Sequence, residues 1–431
     1  MLVEFSVKNF RSIKELQTIS FVTSSLKSSQ ENEYIDINNI VQLGDTKLFK
    51  TIGVYGPNGS GKSNIIKALD SFIKVVVNQP SSVSNLRELC QPFLFQDILV
   101  ETESFFQIVI LVKNIKYRYG LTVKVNSEQS GLSPDKSSEI VTNEWLYSDK
   151  KGKSSILFLR EGTQILKNSL QNKTKIPTNL PFKHTLFLTH ASAFDTNGDC
   201  YYITDHLRRL VTSNFEVNND KFRWMSVNQM QDVEEKNRFI TLLSSFNLTY
   251  DDVFLEEDIN DYTFNDIYPQ DKIVFKKNFL HNNKIQSVQL NLKDNESAGT
   301  QKMFDLAGLI LRAFNLTEPA FIILDEIDSN FHPSLLIQLI NLFNNPEFNR
   351  SNTQLLFTSH DTNLMSPKIM RRDQFFFTEK KEDYSTRVYS LSELKGIRND
   401  ADFAKQYLSG YYGALPMLEN YCYNKELLKD E

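Results

Sequence analysis

The chain has 431 residues, enough for two or three structural units around more than one core. Apolar residues make up 40% and charged residues 23%, the ordinary balance of a soluble globular protein. With 48 Lys and Arg against 53 Asp and Glu, the formal net charge of −5 gives no global pull towards nucleic acid or acidic membranes, so any such contact needs a local basic patch.

The first 23 residues read as two short strands around "KNFRSIKE". They carry no apolar h-region, and no apolar run in the chain approaches the ~18–20 residues of a membrane span. Cys90, Cys200 and Cys422 lie far apart without a CxxC pair, which predicts inert thiols in a reducing cytoplasm rather than a zinc site or disulfides. The expectation is a cytoplasmic, bacterial-type protein with no membrane partner.

Residues 24–45 are polar and predict a loop with one edge strand. "LFKTIGVYG" predicts a buried strand entering a glycine-rich turn, and "SNIIKALDSFIKVVVNQ" a helix. From about residue 92, "FFQIVILVKN", "IKYRYGLTVKV", "SEIVTNEWLYS" and "SSILFLREG" predict an antiparallel sheet inserted after that helix. Residues 184–250 read as helical, including "DHLRRLVTS" and "VEEKNRFITLLSSF", and form the expected place for partner or trigger binding. "YDDVFLEEDINDY" predicts a solvated acidic loop. The strands "DKIVFKKN" and "IQSVQLNL" lead to the amphipathic helix "ESAGTQKMFDLAGLILRAF". Then come the buried strand "AFIILDE", the helix "PSLLIQLINLFNN" and the buried strand "TQLLFTSHD". No heptad pattern or internal repeat intervenes. The two ends thus predict one α/β core in two parts, 1–91 and 271–431, around a β-rich insertion at 92–175 and a helical lobe at 176–270.

Residues 56–63, "GPNGSGKS", match G-x-x-x-x-G-K-[ST] between an apolar strand and a helix. Gly56, Gly59 and Gly61 let the backbone turn its N–H groups onto phosphate oxygens, and the helix presents its positive end to the same anion. Lys62 reaches the β- and γ-phosphates, and the Ser63 hydroxyl suits Mg²⁺. Asn58, Ser60 and Asn64 lie in the same turn and are expected to line the nucleotide.

"FIILDE" places Asp325 at the carboxyl end of a buried strand, where a carboxylate holds Mg²⁺ directly or through water. Glu326, one residue on, is placed to orient or deprotonate an attacking water. "LFTSHD" puts His360 at another strand tip, where a neutral imidazole suits the γ-phosphate. The other histidines read as solvated, His332 with least support because it follows the acidic pair. Arg371 and Arg372 in "MRRDQFFFTEK" read as a solvated strand end rather than a phosphate or partner contact.

The order "GPNGSGKS", "ESAGTQ", "FIILDEIDSNFHP", "LFTSHD" resembles ABC-type ATPase heads of the RecF and SMC kind. "FSVKNFRSIKE" is similar to their first strands, which implies that Arg11 lies near the nucleotide. "YRYGL", "NEWLY", "ESAGTQKMF", "RRDQFFF" and "YLSGYYGALP" extend the resemblance over nearly the whole chain to the AAA-family, ABC-like ATPases of bacterial anti-phage and abortive-infection systems, such as RloA, AbiL and PtuA. The resemblance implies an ABC-ATPase head with a P-loop sheet core, an inserted antiparallel β subdomain and a helical lobe. It implies ATP and Mg²⁺ as cofactors, and a homodimer or higher homo-oligomer that sandwiches ATP between heads. A separate effector, a nuclease encoded nearby, is the implied partner.

The signature differs from L-S-G-G-Q: the equivalent stretch is "ESAGTQ", in which Ser297 and Gly299 keep a hydroxyl, a flexible backbone and a helix N-terminus. They suit a γ-phosphate contact from a second subunit, and Ser297 equally suits a helix cap. Asp328 resembles the residue that couples the two halves of such dimers. The glutamine after the first lobe falls on Gln91 or Gln96. Three other readings remain open at this level. A RecF-like DNA-repair head would bind DNA, a transporter subunit would bring a permease, and a non-catalytic protein would hold ATP as a structural ligand.

Overall fold

The computed structural model describes residues 1–78, 83–95, 103–125, 139–150, 152–214, 220–256 and 272–416. Strand β1 (Leu2–Lys8) is followed by β2 (Gln17–Ser20), α1 (Glu33–Asn38), β3 (Ile40–Leu43), β4 (Thr46–Phe49), β5 (Thr51–Tyr55) and α2 (Lys62–Val77). A run of strands follows: β6 (Ser104–Val112), β7 (Ile115–Val125), β8 (Glu139–Lys150), β9 (Lys153–Glu161) and β10 (Gln164–Asn168). Next come α3 (Phe187–Ser192), α4 (Asp199–Leu207), β11 (Leu210–Asn214), α5 (Asp220–Gln229), α6 (Val233–Ser245), β12 (Asp252–Leu255), β13 (Ile273–His281) and β14 (Lys284–Asn291). The chain continues through α7 (Ala298–Phe314), β15 (Phe321–Asp325), α8 (Pro333–Asn344), β16 (Gln354–Thr358), β17 (Phe375–Lys380), β18 (Thr386–Ser390) and α9 (Phe403–Leu408).

Two large sheets organise these elements. One is antiparallel, ordered β10-β9-β8-β7-β6-β1-β2. The strands after residue 103 therefore continue a sheet that the N-terminal strand shares. The other is ordered β11-β15-β16-β5-β17-β18 and is parallel except for β18. Its central strands are apolar on both faces, as parallel strands require. Phe321 and Ile323 of β15 join one core cluster while Ile322 and Leu324 join the other. Helix α2 fills the first of these cores, with the Phe72 ring stacked on Phe106 of β6 at 5.9 Å. Helices α5 to α8 cover the opposite face of the parallel sheet, where the guanidinium of Arg223 in α5 grips the Asp305 carboxylate of α7 through two bonds of 2.8 and 3.1 Å.

Three local expectations are corrected. "LVTSN" is not helical: it forms β11 and pairs parallel with β15, from Leu210 opposite Phe321 to Asn214 opposite Asp325. Val211 and Thr212 are β-branched, and they satisfy an edge of the parallel sheet. The acidic stretch is not all loop, because Asp252–Leu255 pairs with β13; its later part lies outside the described residues, as do Gln96 and Cys422. The polar stretch after residue 23 contains helix α1. Cys200 is buried and Cys90 half-buried, and burial pushes the Cys90 thiol up to about 12.

Candidate nucleotide site

The turn after β5 is pressed against β17 and β18. Gly56 has φ +152° and Gly61 φ +106°. A Cβ on Gly56 would lie 2.3 Å from the Thr378 carbonyl oxygen, and one on Gly61 would lie 2.1 Å from Thr386 Oγ1, so only glycine fits either position. Ser60 is buried, its Oγ 2.6 Å from Thr378 Oγ1, and its carbonyl accepts from Thr386 Oγ1 at 2.9 Å. Asn58 and Gly59 are exposed at the tip of the turn. Lys62 opens the sixteen-residue helix α2, and its Nζ donates to the Gly56 and Pro57 carbonyls at 2.8 and 3.2 Å. Ser63 beside it is exposed.

Arg11 flanks this helix. Its backbone is left-handed at φ +53°, its N–H donates to the Gln91 carbonyl at 2.6 Å, and its Nε donates to Gln91 Oε1 at 2.8 Å. Its Nη1 reaches Asn64 Oδ1 at 3.5 Å, and Asn64 Nδ2 donates to Ser12 Oγ at 2.7 Å. Gln91 thus meets Arg11 on the P-loop flank.

Strand β16 lies between β5 and β15, so the residues at the three carboxyl ends converge. The Thr358 hydroxyl of β16 donates to Asp325 Oδ1 and accepts from the Glu326 N–H at 2.7 Å. Glu326 is exposed and stands at φ +52°, turning its side chain out of the strand line. The His360 N–H lies 3.3 Å from both carboxylate oxygens of Asp328.

The electrostatics tie these groups into one site. Burial pushes the Lys62 ammonium down, against the opposite pull of Asp325, Glu326 and Asp328. Burial and then the Lys62 charge push His360 down, outweighing the same three carboxylates, so its imidazole is neutral at neutral pH. The hydroxyl of Ser63 and the carboxylate of Asp325 are hard oxygen donors that fit Mg²⁺, which takes one or two protein ligands beside phosphate and water. Among the described residues, no group of three or more His, Cys, Asp or Glu side chains is arranged to hold a metal by itself.

Ser297 and Gly299 stand apart from this cluster, at the start of α7. Exposed Ser297 caps the helix, accepting from the Thr300 N–H at 3.2 Å. A Cβ on Gly299 would lie 2.8 Å from the Asn330 carbonyl, so this turn packs on the segment just after Asp328. Lys302, one helical turn on, donates to Ser329 O and Oγ at 3.3 Å each.

Sequence reasoning missed Thr358, Lys302, Thr378 and Thr386. Thr358, Lys302 and Thr378 each lie inside a quoted motif, Thr358 two residues before His360, whereas Thr386 lies in none. Two other readings change. Arg371 is buried, with Nη1 3.0 Å from Asp36 and Nη2 2.7 Å from Asp373, so it is a structural ion pair and not a solvated strand end. Just after α4, Arg209 pairs with Asp205 and Glu318, while Arg208 is exposed. His332 caps α8, its Nδ1 accepting from the Ser334 N–H at 3.2 Å.

No curated protein matches the chain. Residues 52–366, well over half of its length, match the family described as "AAA domain, putative AbiEii toxin, Type IV TA system". That span runs from the strand before the glycine-rich turn to beyond His360 and takes in Lys62, Asp325, Glu326, Asp328, Thr358 and His360, while Arg11, Ser12, Thr378 and Thr386 lie outside it. The chain belongs to this family of ABC- and RecF-like AAA ATPases of the abortive-infection type.

Proposed function

We propose that the chain hydrolyses ATP with Mg²⁺, and that two copies close on the nucleotide to control a separate effector, a nuclease, in a bacterial anti-phage defence system. The observation that carries the catalytic part is the convergence of Lys62, Asp325, Glu326 and His360 at one edge of the parallel sheet. The backbone N–H groups of the turn and the start of α2 bind phosphate oxygens, and Lys62 neutralises their charge. Ser63 and Asp325 would hold Mg²⁺, which would supply positive charge against the transferred phosphoryl group. Glu326 orients the water and takes its proton, while neutral His360 donates to the γ-phosphate.

The position of Ser297 supports the dimer in this reading. It is exposed at the N-terminus of a seventeen-residue helix, suited to a γ-phosphate held by the other copy. Nucleotide then acts as interface glue, and loss of the γ-phosphate opens the pair. Cytoplasmic placement belongs to the same reading; no helix among the described residues is long and apolar enough to cross a membrane. The test is Glu326→Gln in a turnover assay and in sedimentation with ATP and Mg²⁺. The expected result is retained nucleotide binding, turnover reduced at least about 100-fold, and accumulation of a closed dimer. Unchanged turnover with monomer-like sedimentation defeats the proposal.

A further inference from the structure

Residues 272–293 contain five Lys, one His, four Asn and two Gln and no Asp or Glu, in a chain whose net charge is −5. They build the hairpin β13–β14. Its base is fixed: Phe275 stacks on Tyr250 at 4.0 Å and meets Phe304 of α7 edge-on at 5.7 Å, and the Leu292 N–H donates to the Ile273 carbonyl at 2.9 Å. Beyond Lys276 the hairpin is exposed on both faces. Leu280 and Ile285 are cross-strand partners on one face, 71% and 78% exposed. Phe279 and Val288 stand exposed on the other. Of the described acids at the base, Asp251 accepts from the Asn278 N–H at 2.6 Å and Asp252 pairs with Lys236 at 2.6 Å, while Asp294 is exposed.

We infer that this hairpin is a binding arm for duplex DNA. An exposed apolar ribbon is an aggregation hazard unless a partner covers it. An arm with lysines and no carboxylates selects a polyanion and disfavours a second copy of itself. The amides of Asn278, Asn282 and Gln286 are the groups that hydrogen-bond base edges, and Leu280 and Ile285 suit thymine methyls. Five residues of ribbon beyond the base reach about 17 Å. That exceeds the depth of roughly 8.5 Å of a B-DNA major groove, which admits a two-stranded ribbon; the major groove of duplex RNA does not. Because the base of the arm packs on Phe304 of α7, DNA held there lies against the helix that begins at Ser297.

The inference does not depend on ATP hydrolysis, so it is tested without nucleotide, by fluorescence anisotropy of a labelled 20-base-pair duplex. With about four phosphate contacts, affinity for the full chain falls on the order of 10²-fold from 50 to 200 mM salt. The double variant Lys277→Glu/Lys284→Glu weakens binding at least about tenfold at the lower salt, and so does Leu280→Ser/Ile285→Ser. Both variants keep the melting temperature and the DNA-free ATP turnover. Absence of binding by the unaltered chain, binding by both variants as tight as by the unaltered chain, tighter binding to duplex RNA or to phosphatidylserine vesicles, or self-association through the arm overturns the inference.

Discussion

The backbone N–H of Glu326 donates to the hydroxyl of Thr358 at 2.7 Å, and the same hydroxyl donates to the Asp325 carboxylate. One buried side chain on β16 therefore sets both acidic residues at the end of β15. Replacing Thr358 with Val keeps the shape but leaves an N–H and a carboxylate oxygen without that partner. The expected cost is about 1.5–3 kcal/mol, read as a roughly 10- to 150-fold fall in turnover. Nucleotide binding should survive, because Lys62 and the turn are untouched. Steady-state kinetics beside a nucleotide titration checks this, and unchanged turnover removes Thr358 from any positioning role.

Gly61 and Gly59 separate two costs that usually travel together. Both are left-handed, at φ +106° and +75°. A methyl on Gly59 meets nothing within 4 Å, whereas one on Gly61 lies 2.1 Å from Thr386 Oγ1. Thr386 cannot simply yield, since its Oγ1 holds Ser60 O at 2.9 Å and Ser12 Oγ at 2.7 Å. Gly59→Ala should cost only the backbone strain, about 1–2 kcal/mol. Gly61→Ala should lower the melting temperature further and abolish nucleotide binding. Equal effects of the two substitutions would mean that contact with β18 is unimportant.

The phosphate turn was readable because its chemistry is local: eight consecutive residues carry the glycines, the lysine and the hydroxyl, and the strand and helix around them have opposite periods. The placement of Asp325, Glu326 and His360 at strand ends was readable for the same reason, each closing a run of buried apolar residues. What brings them together is not local. The sheet order that sets β16 between β5 and β15 was absent from every motif, and so was the packing of Thr378 and Thr386 on a turn more than 300 residues earlier. β11 was misread because three apolar or β-branched residues after a helix fit either period until the edge of β15 supplies a partner. Arg371 looked solvated because Asp36, which meets it, is 335 residues away.

A second long-range contact supports the antiparallel sheet. Glu144 of β8 is 1% exposed and Arg160 of β9 is 2% exposed, with Nη1 2.9 Å from Oε2. Glu144 also accepts from the Phe187 and Leu188 N–H groups at 2.7 and 2.8 Å and from the Tyr119 hydroxyl at 3.0 Å. It thereby anchors the first turn of α3 to the sheet. Glu144→Gln leaves a buried guanidinium without its counter-charge, and the expected loss is about 3–5 kcal/mol. A double change to Leu and Met should recover only part of this, because the Phe187 and Leu188 amides still lose their acceptor. Urea unfolding of the unaltered chain and the two variants measures it, and full recovery in the double variant would show that those amide bonds contribute nothing.

Acid sensitivity follows from His206. It is 5% exposed, with Nε2 3.1 Å from the Met1 amine. Burial first, then the positive charges of that amine and of Arg209, push it well below 6.5. The folded chain thus binds this proton less readily than the unfolded chain. Above pH 6.5 the ring is neutral in both states and its contribution is fully present. Below that, the unfolded state takes up a proton the folded state refuses, and stability falls by about 1.4 kcal/mol per pH unit. The Met1 amine, pushed from 8.0 down to about 5 by burial, acts with the same sign but starts earlier, from pH 8. His206→Gln should therefore remove only the steepening below pH 6.5. Urea midpoints at pH 7.5, 6.5 and 5.5 distinguish the two, and an unchanged slope between 6.5 and 5.5 in the variant would assign the acid loss to other groups.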